Sequence, residues 1–228
     1  MEGVIRRAIS ALVAGLLVGA TPSAAAAAPA CKPDIPCVLM FGDSLTAGFG
    51  LPPDQGLVRR LSEYLAQNGQ RVTLIDAGLS GDTSYGGRVR IAASLRRHAG
   101  VDAVVVELGA NDMLMGFPPG PVSRNLDAIL TTAGQGGRKV MLVGIDAPDV
   151  LSPRLRKDWA AVWPTLAAKH DAALVADIYA PLSAVPLDQR SDLILPDRIH
   201  PSAKGVDAIV AHIGPSLVQF VRLVADQP

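Results

Sequence analysis

Short apolar runs alternate with longer stretches of helical spacing along most of the chain. Residues 38–41 form the first apolar run and are expected to be a buried strand. Leu57, Leu61, Tyr64 and Leu65 fall at helical spacing and predict a helix over 56–67, closed by Asn68 and Gly69. A second strand is expected at 71–76, then a helix over 86–98 with Val89, Ile91, Ala92 and Leu95 on its inner side. The run AVVVEL at 103–108 is apolar enough to be a third strand covered on both faces. A proline opens the helix expected at 121–132, and KVMLVGI at 139–145 reads as a fourth strand. The longest helix is expected at 153–170 and a fifth strand at 172–177; a closing helix over 202–221 is N-capped by Ser202. Strand–helix alternation of this kind predicts an α/β domain: a parallel sheet with helices on both sides. Only 179–201 has no helical period, and long irregular loops are often functional.

The first thirty residues follow a different pattern. Arg6 and Arg7 form a basic head, an uncharged apolar run covers 8–20, and an alanine tract ends Ala28-Pro29-Ala30. Basic head, short apolar stretch and small-residue exit are the parts of a secretory signal peptide, so the domain is expected to occupy 31–228 after cleavage. As a membrane anchor the run is short. Thirteen helical residues reach about 20 Å, against roughly 30 Å of hydrocarbon. Cys31 directly after the tract also allows a lipoprotein, although Ala28 stands where such signals usually carry leucine. Export to the periplasm or the medium is the expectation. It changes how the only two cysteines, Cys31 and Cys37, are read: an oxidising compartment permits their pairing, with two free thiols as the alternative.

Composition narrows the function classes. About half of the 228 residues are apolar and 18% are charged, which describes a compact globular protein. Basic and acidic residues number 21 each, so no global field points to nucleic acid or an anionic membrane. Neither H-E-x-x-H nor C-x-x-C occurs, and no metal or cofactor is expected.

In an open parallel sheet, ligands gather at the carboxyl ends of the strands. The first strand runs into Gly42-Asp43-Ser44-Leu45, and the second into Leu79-Ser80-Gly81-Asp82-Thr83-Ser84. Gly109-Ala110-Asn111-Asp112 follows the third, and the irregular segment ends Asp197-Arg198-Ile199-His200-Pro201. All four segments are expected on one rim.

These blocks, in this order, resemble the GDSL/SGNH hydrolases, and most closely the bacterial arylesterase, thioesterase and lysophospholipase branch. The resemblance spans 38–222 and implies a three-layer α/β/α sandwich with five parallel strands. It also implies an esterase that forms an acyl-enzyme on Ser44. The chemistry of the residues agrees. A serine hydroxyl needs a base, which His200 can be, and Asp197 can accept the other ring N–H and fix the tautomer. The developing oxyanion needs donors already in place: the N–H groups of Ser44 and Gly81 and the amide of Asn111. Glycine at 81 is expected because the backbone must approach the substrate without a Cβ. Asp43 reads as structural. Ser80 is the rival nucleophile, but neither serine lies in G-x-S-x-G, the elbow of the other large esterase class.

Each residue has a bland reading as well: Ser44 as a helix N-cap, Asn111 and Gly81 as turn residues, Asp197 and His200 as a surface ion pair. A phosphate-binding flavodoxin-like module is the rival function, yet it has no need of Asn111 or an Asp–His pair. Met113, Leu114, Met115 and Phe117 follow Asn111 and are candidates to line an acyl site. The loop at 146–152 departs from the Asn-Tyr-Gly-like segment of the thioesterase relatives, which favours simple esters over thioesters or lysophospholipids.

Overall fold

The computed structural model describes residues 30–226; the expected leader, apart from Ala30, lies outside the described residues. Five strands, β1 (Cys37–Gly42), β2 (Thr73–Asp76), β3 (Ala103–Glu107), β4 (Lys139–Val143) and β5 (Ala173–Val175), form one sheet in the order β2-β1-β3-β4-β5. Every pairing is parallel. The helices are α1 (Leu57–Gln67), α2 (Ser84–Arg97), α3 (Ala110–Leu114), α4 (Pro119–Ala133), α5 (Pro153–Ala160), α6 (Val162–Lys169), α7 (Ala180–Ser183) and α8 (Ala203–Ala225). α1 packs on α8, while α2, α4 and α6 pack in series, and these two groups are the outer layers of the expected three-layer sandwich. The central strands are fully buried because both faces are covered: every residue of β1 and β3 is buried.

Where the elements depart from the sequence expectation, the cause is local. The helix expected over 153–170 is two helices, broken at Ala161. Pro164 has no N–H to give the carbonyl of Ala160, and its ring crowds that turn. α8, at 23 residues, is the longest helix among the described residues. It is also long and apolar enough to cross a membrane, yet half of its apolar window is buried inside the fold, where it serves as a core helix. In α2 the inner face is Ser84, Gly87 and Ile91, whereas Val89 is 67% exposed and Ala92 is exposed too. Gly87 sits so close to its neighbours that a side chain would collide with Leu108 and crowd Ile129. Ile91 is buried and Leu95 packs partly against the core as expected, but small residues mark the rest of this contact face, so a rule that seeks apolar spacing misplaces Val89 and Ala92. The irregular segment at 179–201 contains α7 and a 3-10 turn (Leu187–Asp192), and an isolated bridge ties Ile194 to Pro201.

The strand order reverses between β1 and β3, so the connections from these neighbours leave in opposite directions and open a crevice at their carboxyl ends. Ser44 follows β1 and Asn111 follows β3, which places both at that crevice.

Candidate active site

Ser44 lies two residues past β1, in a series of tight turns. It caps no helix, since the next one begins at Leu57. Asp43 holds the turn by accepting the N–H of Leu45 at 3.0 Å. Ser44 is buried, and its Oγ stands 2.8 Å from Nε2 of His200. Nδ1 of the same ring is 2.7 Å from Oδ2 of Asp197. Oδ1 of Asp197 accepts the backbone N–H groups of Ile199 at 2.9 Å and His200 at 3.0 Å. Those bonds, led by the one from Ile199, hold the Asp197 carboxyl down at about 2. An ionised Asp197 accepts from Nδ1–H, which leaves the Nε2 lone pair facing the serine hydroxyl.

This histidine comes from a segment with little regular structure, so other bonds must fix it. The N–H of Leu195 donates to the carbonyl of His200 at 2.7 Å, and that of Arg198 to Leu195 at 2.9 Å. The N–H of Ser202 reaches the carbonyl of Leu193, also at 2.9 Å. The Ser202 side chain then caps α8 by accepting from Gly205. Phe49 packs its ring on the imidazole, with centroids 4.4 Å apart. The block expected to be a surface ion pair at its blandest is thus anchored to the longest helix.

The oxyanion candidates converge on the same crevice. Gly81 has φ +79° and is exposed, with no atom near the position of a would-be Cβ. Its conformation, rather than crowding, requires glycine there. Gly78 is the position of close approach: a Cβ would run into the backbone of Ala47, so the loops after β1 and β2 touch. Asn111 occupies the first turn of α3 and donates its amide to the carbonyl of Asp82 at 2.8 Å and to Oδ2 of Asp43 at 3.1 Å. Next to it, buried Asp112 accepts both the N–H and the Oγ–H of Ser84 at 2.7 Å, locking α3 to the start of α2. Ser80 is exposed on its loop.

Close to the nucleophile lie two buried carboxyl groups, Asp43 and Glu107, with no ion-pair partner among the described residues. Burial pushes Asp43 up to about 6, offset in part by the Leu45 N–H and the nearby His200. Glu107 is fully buried; burial first, and then the charge of Asp43, hold it well above the usual carboxylate range. Its Oε2 accepts from the Thr46 hydroxyl at 2.8 Å, while Oε1 has no partner among the described residues. Of the candidate acyl residues, Met113 packs partly against the core, while Leu114, Met115 and Phe117 are exposed. Phe49, Leu79 and Ile199, on the other site loops, are exposed as well. The structure adds to the site Asp112, Phe49 and Arg90, whose Nη2 donates to the carbonyl of Gly42 at 2.7 Å. Arg90 carries no local signal, whereas Phe49 lies in the run that follows Ser44 and Asp112 adjoins Asn111.

A base-paired serine at the carboxyl edge of a doubly wound sheet, with amide donors around it, defines a serine hydrolase. The chain belongs to the GDSL-like Lipase/Acylhydrolase family, whose model matches residues 40–208. It is 33% identical to Esterase TesA of Pseudomonas aeruginosa over 79% of this chain and 87% of the relative. With an arylesterase of Vibrio mimicus it shares 30% identity over 81% of this chain and 89% of the relative. The crystal structure of the psychrotrophic esterase EstA from Pseudoalteromonas sp., inhibited by monoethylphosphonate, superposes with a TM-score of 0.73. That match has 28% identity and covers 82% of this chain and 98% of that one.

Proposed function

We propose that this chain, a serine esterase of the SGNH family, is exported and hydrolyses simple acyl or aryl carboxylic esters through an acyl-enzyme on Ser44. The observation that carries this reading is the unbroken hydrogen-bonded series from Ser44 Oγ through His200 to Asp197. His200 takes the serine proton as Oγ attacks the ester carbonyl, and returns it to the leaving alcohol. Water then attacks the acyl-enzyme by the same route. The carbonyl oxygen, as it becomes an anion, meets the N–H groups of Ser44 and Gly81 and the Asn111 amide. In the free enzyme both Asn111 N–H groups are engaged, and the longer bond, to Asp43, is the one the oxyanion displaces. Leu114, Met115 and Phe117 present an apolar border to the acyl or aryl group. The likeness to an esterase and an arylesterase supports this substrate class. Export is supported by the leader pattern and by the bond between Cys31 and Cys37.

The test is hydrolysis of p-nitrophenyl acetate, together with labelling by a p-nitrophenyl phosphonate and mapping of the adduct by mass. Ser44→Ala is expected to abolish both turnover and labelling, while Ser80→Ala keeps both. An adduct on Ser80 with Ser44 unmodified would overturn the assignment. An acyl-chain panel that includes a thioester and a lysophospholipid fixes the substrate class. Preference for either of those over short esters would overturn that part.

A further inference from the structure

Arg90 sits in the middle of α2 and touches no atom that reacts, yet each of its three guanidinium nitrogens donates a hydrogen bond. Nε donates to Oδ2 of Asp82 at 2.6 Å, Nη1 to the carbonyl of Ala77 at 2.8 Å and Nη2 to the carbonyl of Gly42 at 2.7 Å. Its Cζ lies over the Phe41 ring, 3.8 Å from the centroid. Four partners thus hold one planar cation whose side chain is only 20% exposed.

What those partners carry gives the cation its role. Gly42 is two residues before Ser44 and ends β1. Ala77 and Asp82 bracket the loop that presents Gly81, and the carbonyl of Asp82 accepts the Asn111 amide. The three oxyanion donors come from three separate connections, after β1, β2 and β3. Arg90 is bonded directly to the first two and, through Asp82, reaches the third. We infer that Arg90 is a positioning residue that sets the spacing of the oxyanion hole by clamping the loops after β1 and β2 to one helix; this rests on the catalytic reading above.

Lysine cannot substitute. Its single ammonium can keep the Asp82 pair, but a point charge cannot fork to two carbonyls and stack on a ring at once. Donors that have drifted by a fraction of an ångström still admit substrate. They fail the oxygen only when it becomes tetrahedral and anionic, so the loss falls on kcat and spares KM.

The experiment measures Arg90→Lys and Arg90→Ala beside the wild type, with active sites titrated by the p-nitrophenyl phosphonate so that kcat refers to folded, competent enzyme. Arg90→Lys is expected to lower kcat by about 10²-fold, the size of one lost oxyanion donor, with KM within about threefold. The pH profile keeps its shape, because His200 and Asp197 are untouched. In Arg90→Ala, low millimolar guanidinium recovers part of kcat, and sodium chloride at the same ionic strength does not. A merely structural arginine predicts a lowered thermal midpoint, normal kcat per titrated site and no difference between the two salts. That result would overturn the inference and leave the esterase reading standing. Should wild-type enzyme carry no phosphonate on Ser44, the catalytic reading falls first and takes this inference with it.

Discussion

Three carboxyl groups stand near Ser44, and their surroundings drive them in opposite directions. Asp197 lies at the surface and collects N–H donors, so it is ionised down to about pH 2 and keeps His200 in one tautomer throughout the working range. Asp43 and Glu107 are buried with no cation bonded to them among the described residues, and burial raises both. Asp43 is raised from 3.8 to about 6, so between those values the native state holds a proton that the unfolded chain has released. Stability therefore falls as pH rises through that window, and Glu107 adds a loss of the same sign at higher pH. The Asp43 share is on the order of 2–3 kcal/mol, because each pH unit across that window costs about 1.4 kcal/mol. Asp43→Asn is expected to remove that share, so urea midpoints at pH 4, 5 and 6 should fall in the wild type and less steeply in the variant. Parallel curves would mean that Asp43 is not the acid that holds this proton. The same variant turns an amide N–H₂ toward Asn111, so two donors face each other and kcat drops although a buried charge has gone. The residues of the site differ in how they are written in the chain. Ser44, Gly81, Asn111, Asp197 and His200 stand in short blocks with an expected order, and the structure brings them to one crevice. Arg90 acts through contacts across elements, which no local pattern records.

At the scale of elements, strands are more legible in the sequence than helices. Parallel strands buried on both faces appear as plain apolar runs, and all five overlap their expected spans. The expected boundaries run long by two residues at the end of β4 and at that of β5, where the pairing stops at Val143 and Val175. Helix faces are harder, since close packing on this sheet selects small residues. Gly87 on α2 is one case, and Gly144 just past β4 is another. A Cβ on Gly144 would strike the Trp163 ring and the carbonyl of Ala176. Trp163 in turn meets Trp159 edge to face at 5.8 Å, across the break between α5 and α6. Gly144→Ala must therefore displace a buried tryptophan pair or strain β4 against the segment after β5. Overpacking of this kind costs about 1–3 kcal/mol, which in a domain of this size lowers the thermal midpoint by roughly 2–12 °C. Differential scanning calorimetry with kcat on the same sample checks it. An unchanged midpoint would show that the tryptophan moves freely, and that the break at Ala161 is a soft joint.

The whole molecule keeps its chemistry and its covalent staple at opposite ends of the sheet. Ser44, Gly81 and Asn111 follow the carboxyl ends of β1, β2 and β3, whereas Cys37 is the first residue of β1 and bonds to Cys31 with a Cα–Cα distance of 5.4 Å. That amino end is fastened again by Asp102, just before β3, whose Oδ2 accepts the N–H of Cys37 at 2.8 Å. The bridge closes a short loop, with a sequence separation of 6, so chain entropy assigns it about 2 kcal/mol. Cys31→Ser is the fitting variant, because Cys31 is half-buried while Cys37 is wholly inside the core. It is expected to lower the thermal midpoint by about 4–8 °C and leave kcat and KM for p-nitrophenyl acetate unchanged at 25 °C. Dithiothreitol should produce the same shift in the wild type and none in the variant, which separates the bond from any effect of the serine. The Asp102 contact keeps β1 in register when the bridge is open, so the Ser44 turn, at the other end of a buried strand, has no reason to move. A fall in kcat on reduction, with the midpoint unaltered, would show that strain at the amino end of β1 reaches the nucleophile, and that the two ends of the sheet are not independent.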